Sequence, residues 1–173
     1  TPYRLMVRGD RTVNQFLNAS APTNTTLRTT GNIVTGNVTV SNLSQTAGGF
    51  SFVGNPYQAP VDMEAVLSGA TNLNSQFYYV WDPTRNARGA YVTVDVITNL
   101  NSFAGSTANR LVPSGQAFYV RTIAANPTLT FVEVHKQVLN NATQPIFRNA
   151  TTIPKIRFTL YEDSALALDN TSA

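Results

Sequence analysis

Gly48 to Val66, GGFSFVGNPYQAPVDMEAV, is the stretch on which the fold turns. In Phe50-Ser51-Phe52-Val53 the two phenylalanines share one face by the two-residue period of a strand. Gly54-Asn55-Pro56 ends that strand. Proline brings no N–H to a ladder and biases Asn55 away from helical backbone, so the chain must leave the sheet. Pro60 then opens a short helical turn through Val61-Asp62-Met63-Glu64-Ala65-Val66, with its carboxylates near the N-terminus, where the dipole favours them. The pattern returns in QFYYVWDP, Gln76 to Pro83, and in VPSGQAFYV, Val112 to Val120. An apolar, aromatic run that enters a Gly, Pro, Asn or Asp turn is how a buried strand reads.

Outward from these stretches the chain continues as short strands. Tyr3, Leu5 and Val7 alternate and stop at Gly9-Asp10. Arg8-Gly9-Asp10 spells the integrin-binding tripeptide, but Gly9-Asp10 reads more simply as a turn after a strand. Leu27 to Thr30 and Ile33 to Leu43, rich in Thr and Val, read as strands broken by Gly31 and Gly36. Phe77, Tyr79 and Trp81 fall on one face of the next strand, and Tyr78, Val80 and Asp82 on the other. In Ala90 to Thr98, Val92, Val94 and Val96 point inward and Tyr91, Thr93 and Asp95 outward. Gln116 to Thr122 and Leu129 to Val134 flank an Asn126-Pro127 turn and read as a hairpin. Ile156, Phe158 and Leu160 mark a last strand. The expected fold is all-β: an antiparallel, jelly-roll-like β-sandwich of about eight to ten strands with one short helical turn. Residues 1–152 form the sandwich and residues 153–173 a terminal strand and tail.

At 173 residues the chain fits one domain and can bury a real core. Charged residues are 12% of the chain, about half the usual share, and Thr, Asn and Ser stand in their place. Such uncharged polar surfaces suit sheets exposed outside a cell. With no cysteine, disulfides and thiolate chemistry are excluded. The arginines at 4, 8, 11, 28, 85, 88, 110, 121, 148 and 157 are scattered rather than gathered in a nucleic-acid module, which argues against nucleic acid. No apolar run approaches a membrane span. Thr1-Pro2-Tyr3 enters a strand directly, so the expectation is a mature or excised part of a longer secreted protein.

Candidate chemistry is sparse. His135, the only histidine, lies beside Glu133 and Lys136, and no G-x-S-x-G elbow supplies a nucleophile. It reads as a solvated strand-end residue. A glycosidase pair would have to come from Asp62, Glu64, Asp82, Asp95 or Glu133, and Asp62 and Glu64, two apart in a helical turn, diverge. No cofactor is expected. A structural calcium would use Asp82 with Asn86, or Asp10 with a neighbouring loop, although no D-x-D-x-D-G loop is present. Glycan binding is the sharper hypothesis, because aromatic rings flanked by a few fixed polar groups cover sugar faces. Trp81, Asp82, Tyr91, Tyr119 and Arg121, with Tyr57, are the candidate residues. Against it, a Phe77, Tyr79, Trp81 stripe on alternate positions is usually one face of a core. Sequons such as Asn37-Val38-Thr39 and Asn42-Leu43-Ser44 follow from an Asn- and Thr-rich composition.

The motifs GNPY at 54–57 with the P-x-D of 60–62, YVWDP at 79–83, VPSGQAFYV at 112–120 and LTFVEVHK at 129–136 occur in a set order. Together with YRLMVRGDR at 3–11 and LRTTGNIVTGNVTV at 27–40, they resemble the C-terminal region of large surface proteins of Bacteroidetes-type bacteria. Those proteins are exported by the type IX (gliding and Por) secretion system. The resemblance covers most of residues 3–136 and implies a secreted or cell-surface module, with no single activity attached. It also makes Ser164, in Asp163-Ser164-Ala165, a candidate for bacterial O-glycosylation. Ile153 to Glu162 would open the next region of such a protein, fill its own sheet, or add to a neighbouring molecule's sheet edge.

The expected function is that of a non-catalytic extracellular structural or adhesive module. A carbohydrate-binding module attached to a secreted hydrolase is the first alternative, and a filament subunit linked by strand donation the second. The expected partners are neighbouring domains of the same or identical chains, and polysaccharide.

Overall fold

A computed structural model describes residues 30–86 and 89–137, the single positions Pro2, Asn14 and Thr23, and the backbone of two strands between 157 and 172. The Tyr3–Val7 strand, the Arg8-Gly9-Asp10 tripeptide, the Asp10 calcium alternative and the Ser164 acceptor lie outside the described residues.

The elements in chain order are β1 Val38–Thr39, β2 Phe50–Gly54, β3 Val61–Asp62, α1 Met63–Ser68, β4 Phe77–Asp82, β5 Ala90–Asp95, β6 Leu100–Asn101, β7 Leu111–Val112, β8 Ala117–Arg121 and β9 Thr130–Phe131. Two further strands, β10 Arg157–Tyr161 and β11 Ala167–Ser172, pair with each other. The fold is all-β and antiparallel, with one short helix, as the alternation predicts. Its main layer is a five-stranded sheet in the order β2-β8-β4-β5-β6. The short pairs β1–β9 and β3–β7, together with α1, contribute Phe131, Val61, Val112, Met63, Val66 and Leu67 to the core that the main sheet covers. After β2 the chain leaves for β3 and α1 and returns as β4, β5 and β6. It leaves again at β7 and re-enters as β8 between β2 and β4. This traffic between layers builds a β-sandwich.

The inner face of the main sheet is set by the period of two. Val53 on β2, Tyr78 and Val80 on β4, Val92 and Val94 on β5, and Phe118 and Val120 on β8 are all buried. Tyr78 stands opposite Val94, and Val80 opposite Val92. A one-residue slip would turn the valines of β5 into water, so β4 must put Tyr78 and Val80 inward and Phe77, Tyr79 and Trp81 outward. The stripe whose commoner fate is a core face is therefore the outer one. The Tyr78 ring meets Phe118 edge to face at 5.6 Å, and its hydroxyl donates to the Asn109 carbonyl. Burial pushes the Tyr78 hydroxyl pKa far above the ordinary tyrosine value.

Elsewhere the structure corrects the local reading. The helix starts two residues later than expected. Val61 and Asp62 pair with Val112 and Leu111, and Asp62 is the N-cap, its Oδ1 accepting from the Glu64 N–H at 3.0 Å. The expected hairpin of β8 with β9 does not form. β9 pairs with β1, Val38 opposite Phe131, because the connecting segment is held by a different stretch. Thr122 and Thr128 bridge to Leu73 and Thr71, Ile123 N–H donates to the Asn72 carbonyl, and the Asn72 amide donates to the Ala125 carbonyl at 2.6 Å. Asn126 then turns the chain in the left-handed region, φ 58°. Of Ile33 to Leu43 only Val38–Thr39 is strand, and Ile33 is exposed. The predicted terminal strand is present as β10; its partner β11 carries no alternating apolar row and gives no sequence signal.

Candidate functional site

Because β2, β4, β5 and β8 bury one face, alternate residues are delivered to the other, and most of those are aromatic. Phe50 and Phe52 come from β2, Tyr119 from β8, Tyr79 and Trp81 from β4, and Tyr91 from β5. Register aligns them: Phe52 opposite Tyr119, Tyr119 opposite Tyr79, and Trp81 opposite Tyr91. Tyr119 is the hub. Its ring lies 4.7 Å from Phe52, 5.6 Å from Tyr91 and 6.5 Å from Phe50. Tyr91 extends the band to Trp81 at 5.0 Å, and Phe50 reaches Tyr79 at 5.1 Å. All of these contacts are edge to face except Phe52–Tyr119, which is tilted by 31°. Such pairs contribute about 0.5–1.5 kcal/mol each beyond area burial, so the rings hold one another in place. They remain in contact with solvent. Phe50 is 52% exposed and Tyr91 41%, and Phe52, Tyr79, Trp81 and Tyr119 are intermediate.

The seat of Trp81, the chain's single tryptophan, depends on Gly89. A β-carbon at Gly89 would come within 2.5 Å of the indole, and its φ of +84° is one that a side chain resists. Bare backbone therefore lies close against the ring. On the same face Arg121 is exposed and stands opposite Phe50. Toward β6 the face continues into a depression of about 380 Å³ lined by Phe77, Thr93, Asp95, Leu100, Asn101 and Ser102. Asp95 closes that end. Its carboxylate accepts from the Thr98 and Ile97 N–H groups and the Gln76 amide, which hold its pKa below the usual carboxylate range.

Of the residues singled out in the sequence, Trp81, Tyr91, Tyr119 and Arg121 are brought together on this face. Asp82 and Tyr57 are not. Asp82 points inward and is 1% exposed. It accepts from Ser106 Oγ at 2.6 Å and from the Thr84 hydroxyl and N–H at 2.7 and 2.9 Å, and lies 3.5 Å from Arg85 Nε. Burial raises its pKa, but the Ser106 and Thr84 donors and the Arg85 charge outweigh that and leave it lowered. A calcium ion here would have to displace those donors beside a guanidinium. Asn86 sits in the exposed turn that follows, at φ 55°. Tyr57 is a core residue: its ring meets Phe131 edge to face, its hydroxyl donates to the Gly36 carbonyl at 2.7 Å, and Lys136 Nζ lies 4.3 Å from the ring centroid. Phe50, Phe52 and Tyr79 complete the band and were not among the candidates. The shared face of Phe50 and Phe52 was the available signal.

The remaining titratable groups are committed elsewhere. His135 closes a 3-10 turn, Glu133–His135, and is buried, which corrects its reading as a solvated strand-end residue. Its Nδ1 accepts from the Val132 N–H at 3.3 Å, and burial lowers its pKa against the opposing influence of Asp62. Asp62 and Glu64 converge rather than diverge, because the N-cap turns Asp62 back so that both carboxylates ion-pair with Arg110. Glu133 pairs with Lys136 and accepts from the Gly36 N–H. Among the described residues no group of three or more His, Asp or Glu could hold a metal, and no helix is long and apolar enough to cross a membrane. Protein-family models, curated proteins and solved structures give no match to this chain.

Proposed function

We propose that this chain is a non-catalytic β-sandwich module of a secreted cell-surface protein, an adhesive unit whose aromatic sheet face holds polysaccharide. The observation that carries this reading is the band of six rings, Phe52, Phe50, Tyr119, Tyr79, Tyr91 and Trp81, spread over four strands and left in contact with solvent. A monomeric domain rarely leaves a contiguous apolar patch uncovered without a use for it. Rings fixed on a rigid sheet cover the C–H faces of sugars at little cost in conformational freedom, and neighbouring polar groups orient the hydroxyls. The low charge and the likeness to type IX-exported surface proteins support the extracellular setting. The non-catalytic reading rests on the described carboxylates, which are bound to internal donors or cations, and on the buried His135. The same face suits a carbohydrate-binding module attached to a hydrolase.

Affinity electrophoresis through gels containing plant and algal polysaccharides tests the proposal. At least one polymer is expected to retard the protein, and Tyr119→Ala to release it. Unretarded migration on every polymer overturns the reading.

A further inference from the structure

Among the described residues, Arg85 is ion-paired with Asp82, Arg110 with Asp62 and Glu64, and Lys136 with Glu133. Arg121 is the one described cation without a carboxylate partner, and it stands on the aromatic face. Its strand places it opposite Phe50 and two residues along from the hub ring, Tyr119. Its side chain also lies against Gly48, the terminal nitrogen 3.7 Å from where a β-carbon would stand, so no bulk crowds the guanidinium there. The negative group on this face among the described residues, Asp95, belongs to β5, is held by the Thr98, Ile97 and Gln76 donors and makes no ion pair with Arg121.

We infer that the polysaccharide held on this face is acidic, carrying carboxylate or sulfate groups, and that Arg121 is the residue that grips them. This rests on the polysaccharide reading above and adds the charge of the ligand. A guanidinium presents a rigid fork of N–H donors that matches a carboxylate or sulfate with two parallel bonds, and beside apolar rings those bonds are strengthened. The rings would take the sugar faces and Arg121 would fix the register of the chain through its charged substituent. Single-stranded nucleic acid also combines stacking faces with negative charge, but it is tracked by a basic groove rather than by one arginine.

Titrations of the full chain against alginate, dextran sulfate, a neutral xyloglucan and a thymidine oligonucleotide decide the matter. The acidic polymers are expected to bind more tightly than the neutral one. Arg121→Gln should weaken acidic binding about tenfold and neutral binding much less. Raising salt from about 0.05 to 0.5 M should weaken the wild type and barely affect Arg121→Gln. Alginate and dextran sulfate between them identify the group as carboxylate or sulfate. If neutral and acidic chains bind alike and Arg121→Gln changes nothing, the inference fails while the polysaccharide reading stands. If no polymer binds, the reading itself fails. Tighter binding of the oligonucleotide than of any polysaccharide overturns the inference in favour of nucleic acid.

Discussion

On the inner face of β4 and β8, Tyr78 and Phe118 pack edge to face at 5.6 Å and are fully buried. One residue further along each strand, Tyr79 and Tyr119 point the other way and keep contact with solvent. The inner tyrosine finds a carbonyl for its hydroxyl, and the inner rings lie among valines that exclude water. The outer rings pack against one another. Burial turns the first set into stability, and exposure leaves the second available to a ligand. The same residue types thus take opposite roles according to which valines stand opposite them.

The sharpest way to break this comparison is to truncate one ring on each face. Phe118→Ala should cost about 3–5 kcal/mol in chemical denaturation, because it opens a cavity among Val53, Val80 and Val120. Asp82→Asn, also inward, should cost about 2 kcal/mol, since its Ser106, Thr84 and Arg85 partners are left imperfectly matched. The sign of its pH dependence follows from its lowered pKa. The Asp82 contribution is complete above the unfolded carboxyl value, about 3.9, and is lost as pH falls through the lower folded value. Thermal melts between about pH 2 and 5 should therefore fall less steeply for Asp82→Asn than for the wild type.

Gly89→Ala, on the outer face, should cost about 1–2 kcal/mol through its positive φ and displace the indole, which a shift in Trp81 emission would report. Tyr119→Ala, which loses its contacts to Phe50, Phe52 and Tyr91, should lower stability by about 1–2 kcal/mol, well short of Phe118→Ala, while abolishing polymer retardation. Equal stability costs for Tyr119→Ala and Phe118→Ala would erase the distinction between the faces. The smallest effect belongs to His135, whose pKa is lowered from 6.5. Its neutral form favours the fold, so stability is full above 6.5 and declines slightly as pH falls toward the folded value. His135→Gln should remove that slope in a series of melts.

Where one face of a strand was plainly apolar, the sequence was sufficient: Val92, Val94 and Val96 went inward as their alternation required. β4 carries apolar rings on both faces, so periodicity alone defined its two sides without saying which was buried; the register with β5 decided it. The Asn126-Pro127 turn looked like a hairpin because the residues that redirect it, Asn72 and Leu73, lie some fifty positions earlier. Tyr57 and Asp82 shared the residue types of a sugar site but not its face. In the terminal region, the apolar row of β10 was readable and the polar partner β11 was not.

Emission from Trp81, the chain's one tryptophan, gives the most direct test, because it reports on the outer face alone. Titration with a polysaccharide that retards the protein is predicted to change that emission saturably, and Tyr119→Ala to remove the change without unfolding the chain. Retardation with unchanged Trp81 emission and undiminished binding by Tyr119→Ala would contradict the account.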